Sequence, residues 1–143
     1  MTGQPGSAPG YAITVLVHGS FDDALSATRQ ALADQGFGVL TEIDMRATLK
    51  AKLDVDIAPQ VILGACRPPL AYAALQAEPS IGLLLPCNVV VRATDDGAVL
   101  VQALDPDMMV SMTDNPNLAA VATDASDRLS AALDSLLPAH QRS

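Results

Sequence analysis

Two cysteines, Cys66 and Cys87, are the only thiols in this 143-residue chain, and each stands within two residues of a proline that interrupts an apolar run. A thiolate can act as a nucleophile, close a disulfide or hold a soft metal ion, depending on its surroundings. At a strand period of two, Cys66 shares a face with Ile62 and Gly64, and Cys87 with Val89 and Val91. If the two strands are neighbours, the thiols meet at one end of a sheet. Cys66 also precedes Pro68 and Pro69, residues suited to open a helix, where the helix dipole and adjacent Arg67 favour a thiolate. The competing reading is two small buried hydrophobes, the usual state of free cysteine. Without C-x-x-C spacing, no disulfide framework is implied.

Other chemistry-bearing residues are fewer. Glu42 and Asp44 lie two apart on one strand face, as paired acids or as a solvated edge. Arg46, Lys50 and Lys52 gather three of the eight cations into seven residues, a local anion-attracting spot or a solvated helix face. Met108, Met109 and Met112, together with the thiols, have the softness of a Cu(I) site, but methionine is also the ordinary filler of core gaps. His18 and His140 are far apart and match no zinc spacing, so no metal and no cofactor are expected. Phosphate-cradling and nucleophile-elbow glycine motifs are absent.

These residues need elements to position them. Residues 11–18 are β-branched and read as a strand, followed by Ser20 and Asp23 as an S-x-x-D helix start. Phe21, Ala24, Leu25, Thr28, Ala31 and Leu32 then recur at helical spacing until Gly36. Residues 37–45 alternate as a second strand, with Val39, Thr41, Ile43 and Met45 opposite Leu40, Glu42 and Asp44. A short helix is expected over 46–53, a third strand over 61–66 and a helix from Pro68 that Glu78-Pro79 closes.

Residues 81–92 read as a fourth strand, bulged at Pro86 and therefore on a sheet edge. Asp96-Gly97 signals a hairpin to a fifth strand over 98–104, and a Met-rich connection follows. The last helix starts at Asn115-Pro116 and ends at Pro138, with Leu118, Val121, Ala125, Leu129, Ala132 and Leu136 on one face. The order β-α-β-(α)-β-α-β-β-α, with its final hairpin, predicts a single α+β domain over 11–137 with a mostly antiparallel sheet. Residues 1–10 are expected to be a disordered lead-in, and 138–143 a tail.

The totals bound the function class. A formal charge of −8 repels polyanions, so neither nucleic-acid binding nor an anionic membrane surface is expected. No apolar run reaches the roughly 18 residues of a spanning helix. The polar start is no secretory signal, and two cysteines suit a cytoplasmic protein with reduced thiols.

The motifs LGAC-x-P (Leu63–Pro68) and LLPCN (Leu84–Asn88), with GFGVLTEIDMRATLKAKL before them and Asp105-Pro106 and Met108 after, resemble the domain-of-unknown-function 302 family over about residues 11–137. The resemblance implies an α+β fold of TATA-binding-protein-like topology, usually as a homodimer, with no established activity. It places Cys66 and Cys87 on the family's motif cysteines, and Glu42, Asp44 and Lys52 on its charged positions. Arg67 departs from the family's asparagine. The expected function is a homodimeric small-ligand-binding domain centred on the cysteine motifs, with Glu42, Asp44, Lys52, Cys66, Arg67, Cys87 and Asn88 as candidate ligand contacts. Glu42 and Lys52 are expected at the rim. The alternative is a thiol-redox or sulfur-carrying protein using Cys66 as nucleophile and Cys87 as resolving partner. Whether the chain is an enzyme is left open by its residues.

Overall fold

β-Branched residues build the first strand, β1 (Ala12–Val17), and Ser20 caps the helix α1 (Phe21–Asp34) by accepting from the Asp23 N–H at 3.0 Å. Ala24, Thr28, Ala31 and Leu32 make the buried stripe of α1. Gly36 ends the helix in the left-handed region, and the Phe37 N–H donates back to the Leu32 carbonyl at 3.0 Å. This computed structural model describes residues 8–143, so most of the expected lead-in over 1–10 lies outside the described residues.

The chain continues through β2 (Gly38–Asp44), α2 (Met45–Leu53), β3 (Gln60–Cys66) and α3 (Pro68–Ala77). After a 3-10 helix (Pro79–Leu84) come β4 (Cys87–Ala93), β5 (Val99–Leu104), α4 (Asp107–Thr113) and α5 (Ala119–Asp134). The strands form one five-stranded sheet in the order β1-β5-β4-β3-β2, every pair antiparallel. The architecture is α+β in a single domain, as the element order predicts.

Three expectations need correction. The apolar run 81–92 is not one strand: its first part is the 3-10 helix, Pro86 precedes β4, and β4 is the central strand. Pro86 therefore marks the entry to a central strand, where its missing N–H removes no ladder bond, and the Leu85–Pro86 peptide is cis. The bulge lies in β2 instead, where the register with β3 shifts between Val39 and Thr41. Val39 pairs with Ala65, and beyond the shift Glu42 pairs with Leu63 and Asp44 with Val61. Those partners share one face, so the two acids lie on the side of Val39 rather than opposite it, and Met45 opens α2. Finally, the Met-rich connection is a helix, α4, started by the Asp105 side chain accepting from the Asp107 N–H at 3.0 Å.

The main core lies between the sheet and the pair α1 and α5. Leu63, Val89, Val91, Val101 and Ala103 meet Leu32, Leu129 and Leu133 there. A second cluster, Ala74, Ile81, Met109, Leu118 and Ala122, joins α3, the 3-10 helix, α4 and α5. The many alanines on these helices let them pack close to their neighbours, and methionine fills the irregular gap between them. Residues 138–143 fold back: Ala139–Gln141 form a 3-10 turn, and Arg142 donates to the Leu137 and Ser135 carbonyls at 2.9 and 3.1 Å. Among the described residues, no helix is long and apolar enough to cross a membrane.

Candidate functional site

The outgoing end of β3 and the incoming end of β4 lie side by side, with Cys87 paired to Ala65, one residue from Cys66. β3 delivers Cys66 because Val61, Leu63 and Ala65 anchor the strand in the core. Pro68 then turns the chain into α3, with Arg67 as its N-cap residue. Across this junction α3, α5 and α4 close a small cavity. Cys66, Arg67, Cys87 and Met109 line it beside Phe37, Ala74 and Ala125. The room for the centre of a water-sized sphere is about 20 Å³, enough for one water molecule.

Both cysteines are free thiols and half-buried. Burial pushes the Cys87 thiol above its ordinary value, and the nearby Cys66 charge acts in the same direction. Cys87 is therefore a protonated thiol at neutral pH. The sign of the linkage follows. A raised folded-state value stabilises the fold fully below the unfolded thiol's titration, at about pH 8.5, and that contribution is lost as the pH rises through the folded value. Alkylation of Cys87 by iodoacetamide is expected to be slow at neutral pH and to accelerate only in alkali. Mass mapping of the modified peptide against pH checks this, and rapid labelling of Cys87 near pH 7 would contradict it.

The start of α3 differs from the thiolate-stabilising cradle expected there. Pro68 and Pro69 carry no N–H, while the Leu70 and Ala71 N–H groups donate to the Arg67 carbonyl, each at 3.0 Å. These four residues leave no free backbone donor for a sulfur. The side chain of Arg67 is what remains. Its Nε is the one buried side-chain polar atom without a hydrogen-bond partner among the described residues, and no carboxylate there forms an ion pair with it. Gly36 makes room for it: a Cβ at that position would lie 2.9 Å from Nε.

A buried donor left unmade costs about 1–3 kcal/mol. Arg67→Met keeps most of the stem and removes the donor. The variant is expected to unfold in urea at the same or a higher concentration than the parent, by up to about 1 kcal/mol, since the guanidinium is only partly desolvated. A clear loss of stability would mean that the guanidinium has a partner in solution.

The other candidate contacts lie elsewhere. Glu42 pairs with Arg29 and ties the β2 edge to α1. Asp44 caps α2, accepting from the Ala47 N–H at 2.9 Å, and borders an open depression with Ser20, Asp22 and Arg46 at the far end of β3. Lys52 is exposed near the end of α2. Asn88 pairs with Gly64, on the face opposite Leu63 and Val89, and borders a third depression with Tyr11 and Gln102. Glu42 and Lys52 are thus not at the rim of the cysteine cavity. Cys66, Arg67 and Cys87 line the same cavity, although the register that pairs Cys87 with Ala65 sets Cys66 on the opposite face of the sheet. Met109 is the lining residue that sequence reasoning did not place, although Asp105 two residues before Asp107 is a helix-start signal that could have revealed α4.

The family model described as "Domain of unknown function DUF302" matches residues 13–136. The chain belongs to the DUF302 family. Its fold is similar to the crystal structure of an uncharacterized conserved DUF302 protein from Bacillus stearothermophilus, with a TM-score of 0.83 and 31% identity. That likeness covers 90% of this chain and 100% of the other. No curated protein matches the sequence. The cavity is thus built from the two cysteine motifs of a DUF302 domain, with Arg67 and Met109 completing it.

Proposed function

We propose that this DUF302 domain binds a very small ligand in the cavity between its two cysteine motifs. The observation that supports this reading is an apolar-walled space lined by residues of both cysteine motifs, Cys66, Arg67 and Cys87, together with the buried, unpartnered Nε of Arg67. Polar groups that converge in an apolar recess are the usual signature of a binding site. The test is a titration of the reduced protein with bromide, cyanide and hydrosulfide, followed by amide NMR. At least one probe is expected to give saturable shifts at Ala65, Cys66, Arg67 and Cys87, and these shifts should vanish when Ala71→Leu fills the cavity. Shifts that survive the filled variant would place binding elsewhere and end the reading.

The thiol-redox alternative is favoured by one observation, the adjacency of the two motifs across the β3–β4 ladder, where Cys87 pairs with Ala65 next to Cys66. Equilibration in glutathione buffers distinguishes it: an intramolecular disulfide that forms reversibly at cytosolic poise supports redox cycling, and thiols that stay reduced exclude it. Two free thiols also fit a reducing compartment, so the proposed location is the cytoplasm.

The proposed assembly is a two-fold homodimer through β2 and α2. Leu40 and Ile43 on β2, with Leu53 and Val55 at the end of α2, are 42–66% exposed, and no residue of α2 is buried. An unpaired edge strand beside such a surface suits a self-complementary interface. Sedimentation should give about twice the 14.8 kDa chain mass. Leu40→Glu should return a folded monomer, and a monomeric parent would remove the proposal.

A further inference from the structure

The helices use one face of the sheet. The side of Leu63, Val89 and Val101 packs against α1 and α5. On the other side the ladders set Thr14, Gln102, Val90 and Ile62 in one row across β1, β5, β4 and β3, and β2 continues it with Ile43. The Gln102 amide donates to the Thr14 hydroxyl along this row at 3.3 Å. No residue of the row belongs to either core cluster. Val90 and Ile62 are half-buried, and Ile43 is 44% exposed. A solvated face of an antiparallel sheet carries polar residues. This one mixes them with Leu16, Ile43, Ile62 and Val90.

We infer that this open sheet face is a docking surface for a second copy of the chain, stacked face to face. It is separate from the β2 edge and α2 surface of the proposed dimer and does not rest on that reading.

Charge supports this choice of occupant. The chain has 16 Asp and Glu against 8 Lys and Arg, so two copies repel over most of their surfaces. Glu42 and Asp44 take the helix-covered side of β2, opposite Leu63 and Val61, and the strand positions of the open face hold no carboxylate. Arg92 is the one charge among those positions, and among the described residues it forms no ion pair.

Symmetry agrees. The row passes through Val90, the middle of the central strand. A two-fold axis along the row sets Val90 on Val90 and Ile62 on Ile62 of the second copy. The same rotation carries Arg92, two residues to one side, over the exposed Asn88, two residues to the other. The two guanidinium groups stay apart, and each faces an amide oxygen that can accept. Gly64 leaves a gap in this face, and Pro86 fills it, its Cγ 2.8 Å from where a Cβ would stand.

Area sets the strength. Five strands about 4.8 Å apart, with six residues at about 3.3 Å each, span roughly 24 by 20 Å, or about 500 Å² per copy. The pair then buries about 1,000 Å², below the roughly 1,200 Å² of stable complexes. The contact is therefore weak and forms as concentration rises, joining two edge dimers into a four-copy assembly.

Sedimentation equilibrium of the full chain from micromolar to millimolar concentration tests it. The parent is expected to climb from about two to about four chain masses. Val90→Glu places two carboxylates together on the axis and should hold at two. Gln102→Glu keeps the side-chain shape and should raise the concentration needed by about tenfold. Leu40→Glu should climb from one mass to two. Cooperative urea unfolding checks that each variant is folded, and amide NMR of the parent along the same series should show shifts at Thr14, Ile62, Val90 and Gln102. Val90→Glu and Gln102→Glu climbing as the parent does would overturn the assignment. If the parent stops at two masses and Leu40→Glu stays at one, the edge dimer stands and this surface falls. If the parent climbs only from one to two, Val90→Glu stays at one and Leu40→Glu behaves as the parent, this surface stands and the edge dimer falls. A parent that stays at one mass removes both.

Discussion

Leu63→Ala is expected to cost the fold about 2–5 kcal/mol, read as a fall in the urea midpoint with an unchanged slope. Leu63 is fully buried in β3, and its face is continuous with Val89 on β4 and with the helices α1 and α5. Removing its methyl groups forfeits their transfer free energy and leaves a void that a sheet hydrogen-bonded on both sides cannot close. The position also lies two residues from Ala65, on the strand that delivers Cys66. A smaller loss, below about 1 kcal/mol, would mean that the layers collapse onto the vacancy.

The second large effect runs in the opposite steric direction. Gly64 sits in the LGAC motif where a side chain has no space. A Cβ there would meet the Thr41 hydroxyl oxygen at far less than contact distance and the Pro86 Cγ at 2.8 Å. Thr41 faces Gly64 across the β2–β3 ladder just past the bulge, and Pro86 lies just before β4. Gly64→Ala must therefore displace β2 on one side and the entry to β4 on the other. The expected cost is about 1–3 kcal/mol or more, measured by thermal or urea unfolding. The double variant Thr41→Ala, Gly64→Ala should recover part of that loss, because it removes the closer of the two obstacles while the contact with Pro86 persists. Additive losses would indicate that the backbone, not Thr41, sets the penalty.

Much of this arrangement is legible in the residues, and the parts that are not have identifiable causes. Ser20, Gly36 and the Asp96-Gly97 pair mark their boundaries by local hydrogen bonding and backbone conformation, which need no distant partner. Period two also puts Val89 and Val91 on one face, and both prove buried. The alternation fails in β2, because a bulge inserts one residue and reverses which neighbours Glu42 shares a side with. It also fails at residues 81–86, where an apolar run serves as a 3-10 helix and periodicity cannot distinguish the two. Met109 joins the cysteines through tertiary packing alone. Nothing local says that a methionine 22 positions beyond Cys87 lines the same cavity.

The strand order has a consequence for how this chain must be made. β1 and β2 are neighbours in sequence but occupy opposite edges of the sheet. β1 finds its partner only in β5, with Ala12 opposite Leu104 and Val17 opposite Val99. During synthesis the first strand leaves the ribosome long before the segment that will pair with it, so it waits with an open edge while β2, β3 and β4 can already zip together. Closure of the sheet is then a late, non-local step, of the kind that slows folding and exposes strands to one another between chains. The abundance of local helices between the strands limits how long the remaining apolar surface stays uncovered.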